Sequence, residues 1–441
     1  MRVWLHGFHH KSQVNAFLEL QKRGLLSIME WVARNNHATI YDQDFKHLKL
    51  PAHKFALIDM DEYKEFYRCY FPVFASSFTR TPKGMGVPIG DVQNVFWIYA
   101  DFIHQTLKNK SINLIIFSDI PHLGGDYMVY SCAKQLGVRT LVCSQSQYPN
   151  RFFSFGNIED YGLPDSSLQN NPLPEYISVE KTFRKNFFYM SRIDPEYKSC
   201  VYALLKDIKR IVRRKHSRKT LLTAFIKLIL CHQFKGAYKR ALSTSYDLNE
   251  PFVYFPLQLQ PELTTDILGG PFADQLLAIE RLRALIPNDW QIIVKENPKQ
   301  LEYKRGKYFF DRLKKIDNVH YVSKQTDTYE LLTNSQFTAS ITGSVGWESI
   351  SGGKPTLVFG KTWYRSLPGV IEYRDDIRIE DIQPIKIDHQ ALERAYNGLL
   401  AQTSVGVTNI QYKKIVPEFT DSSNTNKLIE SFAHILRNFR R

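Results

Sequence analysis

Nowhere in its 441 residues does the chain reach the roughly 20 consecutive apolar residues that a membrane-spanning helix requires. Its first residues, Met1-Arg2-Val3-Trp4-Leu5-His6-Gly7, are too short in their apolar part for a secretory leader. Cysteine is scarce as well. Cys69, Cys132, Cys143, Cys200 and Cys231 stand singly, without the paired spacing of a zinc cluster or a disulfide framework. No internal repeat of about 20–50 residues stands out, which excludes solenoids and propellers. These absences point to the cytoplasm. What is present fits folded domains: 23% charged and 13% aromatic residues in a length that suits two or three of them.

The net charge of +14 is concentrated in one place. From Lys181 to Arg240 there are 17 Lys and Arg against 3 acidic residues, so the rest of the chain is close to neutral. No helix-turn-helix, zinc-finger or aromatic RNA-binding signature accompanies this charge, and nucleic acid is not an expected partner. Apolar residues interleave with the bases: Leu204, Leu205, Ile208, Ile211 and Val212, then Leu221, Leu222, Phe225, Ile226 and Ile229. Helical spacing sets many of them apart from Lys206, Lys209, Arg210, Arg213 and Arg214. Two readings stand: helices at 181–240 that lie on an anionic membrane surface, or a helical linker with a solvated basic face.

On either side of that segment, short apolar strands alternate with helical patterns. Strands are predicted at Val3–Leu5, Ala38–Tyr41, Phe55–Ile58, Asn113–Phe117 and Arg139–Cys143, and helices at Val14–Leu26, Val92–Leu107 and Tyr127–Leu136. The same grammar restarts with strands at Phe252–Phe255, Gln291–Val294 and Val319–Val322, and helices at Phe272–Leu285 and Tyr329–Thr333. Such alternation predicts an α/β fold, with parallel sheets covered by helices on both faces and a cleft between two halves. We therefore expect domains at 1–180 and 251–415, a basic helical linker at 181–250, and a C-terminal helix within 416–441 that packs back on the first domain.

Residues 337–360 are the most informative. Phe337–Ile341 reads as a buried strand, Thr342-Gly343-Ser344-Val345-Gly346 as a small-residue turn, and Trp347–Ser351 as a short helix stopped by Gly352-Gly353. Pro355–Phe359 is the next strand. A strand, a glycine turn and a helix start together gather unpaired N–H groups and a positive dipole end, which favours phosphate. Glu348 is placed to accept from a ribose or sugar hydroxyl. The alternative is a tight βαβ turn whose glycines serve packing only.

The order of Phe255-Pro256-Leu257-Gln258-Leu259-Gln260-Pro261-Glu262, Gly269-Gly270-Pro271-Phe272-Ala273-Asp274-Gln275, Val294-Lys295-Glu296-Asn297-Pro298 and Thr342–Pro355 resembles the bacterial capsule polysaccharide biosynthesis family. That family includes β-Kdo glycosyltransferases (Kdo is a ulosonic acid). The resemblance covers about Pro251 to Val370, with Asp119-Ile120-Pro121-His122 through Ser144 similar in the first half. It implies a GT-B fold: two Rossmann-like domains, acceptor on the N-terminal one and nucleotide sugar on the C-terminal one. It further implies CMP-Kdo as co-substrate, no other cofactor or metal, and a glycan or glycolipid acceptor at the inner face of the cytoplasmic membrane. One position departs. Members often carry His-Pro where this chain has Asn297-Pro298, and Asn donates a neutral hydrogen bond but supplies neither charge nor proton. Either the donor contact is weaker, or Lys295 and the glycine turn compensate, or the donor differs.

On that implied reaction, Asp119 is the leading catalytic carboxylate and His122 its orienting neighbour. A turn-capping Asp and a surface His are the alternatives. Asp126 reads as the cap of the following helix. Lys295 would neutralise a phosphate and Glu296 would hold ribose or base, unless the two are a solvated pair. Thr342, Gly343, Ser344, Val345 and Gly346 would hold the phosphate, and Gln260 and Glu262 would meet donor sugar or acceptor. Asp274 and Gln275 begin a helix, which capping explains. Asp42-Gln43-Asp44 and Asp59-Met60-Asp61 match the Asp-x-Asp pattern of metal-dependent transferases, but such triplets arise by chance and Asp59 lies at a helix start, so no metal is assigned. A nucleotide-sugar epimerase of related architecture and a non-catalytic assembly protein are the competing functions.

Overall fold

The computed structural model describes residues 1–52, 59–79, 87–164, 171, 173, 175–184, 229, 236–243, 245–260, 262–300, 305 and 307–439. The chain forms two units. The first comprises Met1–Ser178 and Gln390–Arg441, with Asp266–Leu268 grouped to it; the second comprises Val179–Thr265 and Gly269–His389. The strand predicted at Phe55–Ile58 and nearly all of the basic segment 181–240 lie outside the described residues. Among those residues no helix is long and apolar enough to cross a membrane.

The first unit begins β1 (Arg2–His6), α1 (Lys11–Lys22), β2 (Ser27–Ala33), β3 (Ile40–Tyr41), α2 (Asp42–Lys46), α3 (Met60–Thr79), α4 (Ile89–Asn109), β4 (Leu114–Phe117), α5 (Gly124–Gln135), β5 (Arg139–Gln145) and β6 (Arg151–Phe155). The predicted helix at Val14–Leu26 stops earlier. Gly24 takes φ +70°, and Leu25 N returns to Leu20 O (3.1 Å), a glycine-dependent helix end. The second unit holds β7 (Phe252–Pro256), α6 (Leu263–Leu268, partly in the first grouping), α7 (Gln275–Leu285), β8 (Gln291–Lys295), α8 (Lys307–Leu313), β9 (Val319–Val322), α9 (Thr328–Asn334), β10 (Phe337–Ser340), α10 (Val345–Ser351), β11 (Thr356–Val358) and β12 (Val370–Glu372). The chain then returns to the first unit with α11 (His389–Ala401), β13 (Ser404–Val405) and α12 (Asp421–Asn438).

Both sheets are doubly wound. The first runs β3-β2-β1-β4-β5-β6-β13, the second β9-β8-β7-β10-β11-β12, so each doubles back beside its own first strand. The second sheet is parallel throughout; in the first, β6 runs antiparallel to both β5 and β13. Strands such as Leu114–Phe117 and Gln291–Lys295 are buried at every residue, as sheets covered on both faces require. This is the Rossmann-like order, occurring once in each unit.

The boundary expected at 415 falls elsewhere, because the chain rejoins the first unit from Gln390. Side chains explain the return. Asn397 on α11 accepts from Ile177 N (2.9 Å) and donates to Ile177 O (2.8 Å), and β13 adds to the edge of β6. The buried Asn424 on α12 donates to Ser12 Oγ (2.9 Å) and accepts from Val407 N (2.8 Å). Leu428, Phe432 and Leu436 of α12 join Phe17 and Leu20 of α1 in one core, with the Phe17 and Phe432 rings 4.8 Å apart. Truncating the fully buried Phe432 to Ala is expected to cost about 3–5 kcal/mol, read as a lowered denaturant midpoint with unchanged slope.

Candidate functional site

In the first unit a pocket of about 520 Å³ opens at the carboxyl ends of β1 and β4, where the strand order reverses. Open α/β sheets bind ligands at such a point. Gly7 makes the opening possible. It turns the chain after β1 at φ +91°, and a Cβ there would meet Ser118 Oγ at 1.9 Å.

Asp119, His122 and Asp126 all line this pocket, so the structure brings the first-half candidates together. The Asp119 carboxyl accepts from Ile120 N (2.9 Å) and from Asn409 Nδ2 (3.0 Å). Burial nonetheless pushes its pKa up, against the opposing pull of His122 and those two hydrogen bonds. His122 Nδ1 lies 2.8 Å from Ile120 O, a carbonyl that only accepts, so Nδ1 carries the proton. Asp126 is not the expected cap. It sits inside the first turn of α5, behind an N-cap at Leu123, and Oδ1 is 2.9 Å from His6 Nε2. Burial works to raise its pKa, but the hydrogen bond and charge of His6, with Lys46 and His122, bring it down to about 2.

Several pocket residues had no signal in the sequence. His6 is merely the last residue of β1. Asn409 lies 290 positions from its partner Asp119. Asp42, half of a discounted Asp-x-Asp triplet, accepts from Arg34 Nε (2.7 Å) and Lys46 Nζ (2.8 Å), and these hold its pKa down although burial pushes it up. Its companion Asp44 points to Lys49 instead (3.6 Å). Asp59 Oδ1 accepts from Asp61 N (2.9 Å) and Glu62 N (3.3 Å) at the start of α3, as its capping reading has it.

In the second unit the carboxyl edge is more fully occupied. Glu296 is buried, and its oxygens accept from Arg305 Nε (2.6 Å), Arg305 Nη2 (3.0 Å), Tyr321 Oη (3.1 Å) and Asn297 N (2.8 Å). A carboxylate has about four acceptor sites. All are used, which overturns the expectation that Glu296 holds ribose or base. Asn297 Oδ1 accepts from Lys299 N (2.9 Å) and shapes the turn, while Pro298 is exposed. Lys295 is buried and its Nζ donates to Thr328 Oγ1 (2.6 Å); burial lowers its pKa, and Asp327 pulls the other way.

The turn at 342–346 divides between the two readings of its glycines. The hydrogen-bond network turns the Gln258 amide so that its oxygen accepts from Thr342 N (2.6 Å) and Gly343 N, and its nitrogen donates to Thr265 Oγ1 (2.6 Å) and Thr342 Oγ1 (2.9 Å). Those two N–H groups are therefore already satisfied by protein. A Cβ on Gly343 would meet that amide at 2.8 Å, and one on Gly346 would meet Tyr364 Oη at 2.3 Å. Packing accounts for both glycines. Ser344 and Val345 remain at the start of α10, with Ser344 Oγ 3.5 Å from Glu348 Oε1. Gln260 donates to Ala273 O (2.5 Å) and accepts from Arg305 Nη1 (3.3 Å), and Glu262 Oε2 accepts from Thr265 Oγ1 (3.3 Å). Asp274 caps α7 by accepting from Leu276 N (3.1 Å), and Gln275 holds the Gln258 backbone at both ends (2.7 and 3.1 Å).

The chain belongs to the capsule polysaccharide biosynthesis protein family, whose model matches residues 164–404, more than half of the sequence. The resemblance read from the motifs is thus borne out, and two Rossmann-like units are what the expected GT-B class is built from. None of the curated proteins matches. Solved structures similar to it include the beta Kdo 2,7 transferase of Thermosulfurimonas dismutans KpsC, at 12% identity and a TM-score of 0.32 over 85% of this chain and 97% of that one. The beta Kdo 2,4 transferase of the same KpsC follows at 12% and 0.31, over 71% and 90%. A UDP-GlcNAc 2-epimerase from Methanocaldococcus jannaschii stands at 11% and 0.26, over 90% and 99%. Likeness this low assigns neither activity nor substrate.

Removing one partner of the buried Glu296–Arg305 pair strands a charge. Glu296→Ala or Arg305→Ala is expected to cost about 3–5 kcal/mol, and the double variant less than their sum, in a double-mutant cycle by denaturant unfolding. Asp119 behaves oppositely. Its raised pKa means that the folded state holds this proton more tightly than the unfolded one, so the contribution is full in acid and is lost as pH rises through the folded value. Asp119→Asn should therefore raise the melting temperature at pH 7–8, and the gain should vanish below about pH 4, in thermal unfolding followed across pH.

Proposed function

We propose that the protein is a glycosyltransferase that moves a sugar from a nucleotide donor to a growing capsule or lipopolysaccharide glycan or glycolipid, with Kdo from CMP-Kdo as the leading donor. One observation carries this: the first unit holds a large pocket, at the switch point of its sheet, in which a burial-perturbed carboxyl (Asp119) stands with His122 among further charged groups. Family membership supplies the metabolic setting. The acceptor belongs in this pocket, with Asp119 as the catalytic carboxylate and His122 favouring its ionised form.

The donor belongs to the carboxyl edge of the second unit. Lys295 brings the positive charge that a leaving phosphate needs, and Ser344, Val345 and Glu348 lie at the adjoining helix start. Glu348 acts electrostatically on Tyr254, which hydrogen-bonds to the same Thr328 that Lys295 contacts. With Asn297 engaged in its own turn, Lys295 takes over the charge that a histidine there would have offered. The basic stretch 181–240 would bring the enzyme to anionic lipid at the cytoplasmic face. Gln258 favours a second reading: by filling the N–H groups of Thr342 and Gly343 it fits a non-catalytic assembly protein that has closed its nucleotide turn.

A thermal-shift series with CMP, CDP, UDP and GDP separates these. The expected result is stabilisation by CMP of about 2.7 kcal/mol at a hundredfold excess over Kd, abolished in Lys295→Ala. Preference for another nucleotide keeps the transferase and replaces the donor. Silence toward all four sinks the catalytic reading.

A further inference from the structure

The acceptor reading of the first-unit pocket leaves open what kind of acceptor it takes. We propose that Arg34, Lys46 and His9 form an oxyanion site in its lining, so that the saccharide bound there carries a carboxylate or a phosphate. This rests on the acceptor reading of that pocket and involves the first unit alone.

Arg34, Asp42, Lys46 and His9 all line the pocket. Arg34 directly follows β2, and Asp42 and Lys46 open and close α2, which directly follows β3. The parallel pairing of β2 with β3, Val32 beside Ile40 and Ala33 beside Tyr41, brings these positions together. One carboxylate then takes two cations. Asp42 Oδ2 accepts from Arg34 Nε (2.7 Å) and Oδ1 from Lys46 Nζ (2.8 Å). Exposure divides them by sign: the Asp42 side chain is 6% exposed, that of Lys46 26% and that of Arg34 50%. The anion lies beneath, the cations lie outside, and the trio keeps one positive charge in surplus. A salt bridge that served only to tie β2 to α2 would need one cation.

Donors remain for a ligand. Arg34 spends Nε on Asp42, and among the described residues neither of its Nη atoms has a partner. Two such nitrogens form a planar fork that matches a carboxylate or phosphate. Arg34 N donates to His9 Nδ1 (3.0 Å), so the ring hydrogen of the neutral imidazole is on Nε2, which no described residue accepts. Loss of hydration lowers the His9 pKa against the pull of Asp42, and Arg34, His6 and Lys46 lower it further, which favours that neutral donor. The charge of Lys46 is felt by Asp126 as well as by His9, as expected of a cation among the pocket's own groups. The other carboxyls oppose an anion little. Asp126 is buried and engaged with His6, and burial pushes Asp119 toward its protonated form. A volume of about 520 Å³ has room for a sugar as well as its charged group.

The test is binding to the full chain, by calorimetric titration with glucuronate, glucose 1-phosphate, glucose and inorganic phosphate. At least one charged sugar is expected to bind about tenfold or more tightly than glucose, and Arg34→Gln to remove that preference. Lys49→Gln alters an exposed lysine beyond α2 that pairs with Asp44, and should leave the preference intact. The tighter of the two charged sugars tells carboxylate from phosphate. Glucose binding as well as both overturns the proposal, as does a preference that survives in Arg34→Gln, or no binding by any of the four. Inorganic phosphate matching glucose 1-phosphate overturns the saccharide ligand and leaves a site for a free anion. Should Arg34→Gln not fold, the unaltered chain decides. Raising sodium chloride from about 0.05 to about 0.5 M should weaken the charged sugars and spare glucose, and an equal response of all overturns the site. No donor enters these measurements. Sugar binding without charge preference therefore removes the oxyanion site and keeps the acceptor pocket, whereas charged-sugar binding by a protein silent to every nucleotide keeps the site and removes the transferase.

Discussion

Both sheets are covered on both faces, and that constraint limits where polar side chains can stand. A strand such as Leu114–Phe117, buried throughout, offers no place for chemistry along its length. A polar group within a strand needs a partner of its own, as the buried Glu30 of β2 finds in Lys110 (2.6 Å), and others gather where strands end and backbone groups need partners. His6 closes β1, Ser118 and Asp119 follow β4, Lys295 closes β8, and Thr342 follows β10. In each sheet the order reverses beside the first strand, so two strand ends diverge there and leave room.

The two units use that room differently. In the second, Gln258 fills the space between the ends of β7 and β10 with four hydrogen bonds, and Arg305, Tyr321 and Asn297 N together saturate Glu296. The glycines at 343 and 346 admit the Gln258 amide and the Tyr364 ring, and so exist for close packing rather than for a ligand's approach. A largely self-satisfied edge results, in which Lys295 too is buried and bonded to Thr328. In the first unit the corresponding space is an open pocket, and the side chains lining it are partly satisfied by one another and partly not.

This contrast explains what could be read from the residues. Strand and helix alternation is a periodicity signal, and it located β1, β4, β5, β7, β8, β9 and β10 to within about two residues. Asp119 was legible because it follows an unbroken apolar strand. His6 was not, since a lone histidine at a strand end has no pattern of its own. Asn409 and Arg305 enter through contacts 290 and 9 residues distant, one of them across a return of the chain to the first unit that no local periodicity announces. The phosphate reading of the glycine turn misjudged one thing: Gly marks any close approach, and here the approaching groups are Gln258 and Tyr364.

Three carboxyl groups line the first-unit pocket, and their surroundings drive their pKa values apart. Asp42 faces two cations, Arg34 and Lys46, and is a fixed anion that anchors them. Asp126 meets His6 and is held ionised, so it can only orient and support an imidazole. Asp119 receives a backbone N–H and a neutral amide, with His122 as its one nearby compensating charge, and burial prevails. Neutral donors stabilise a carboxylate less than a paired cation does, so Asp119 alone of the three has its pKa raised. Environments that separate the pKa values of neighbouring acids divide labour between them. The division here sets one acid against two cations, one against an imidazole, and one against two neutral donors. It follows from what each oxygen touches, and would hold whichever nucleotide the second unit selects.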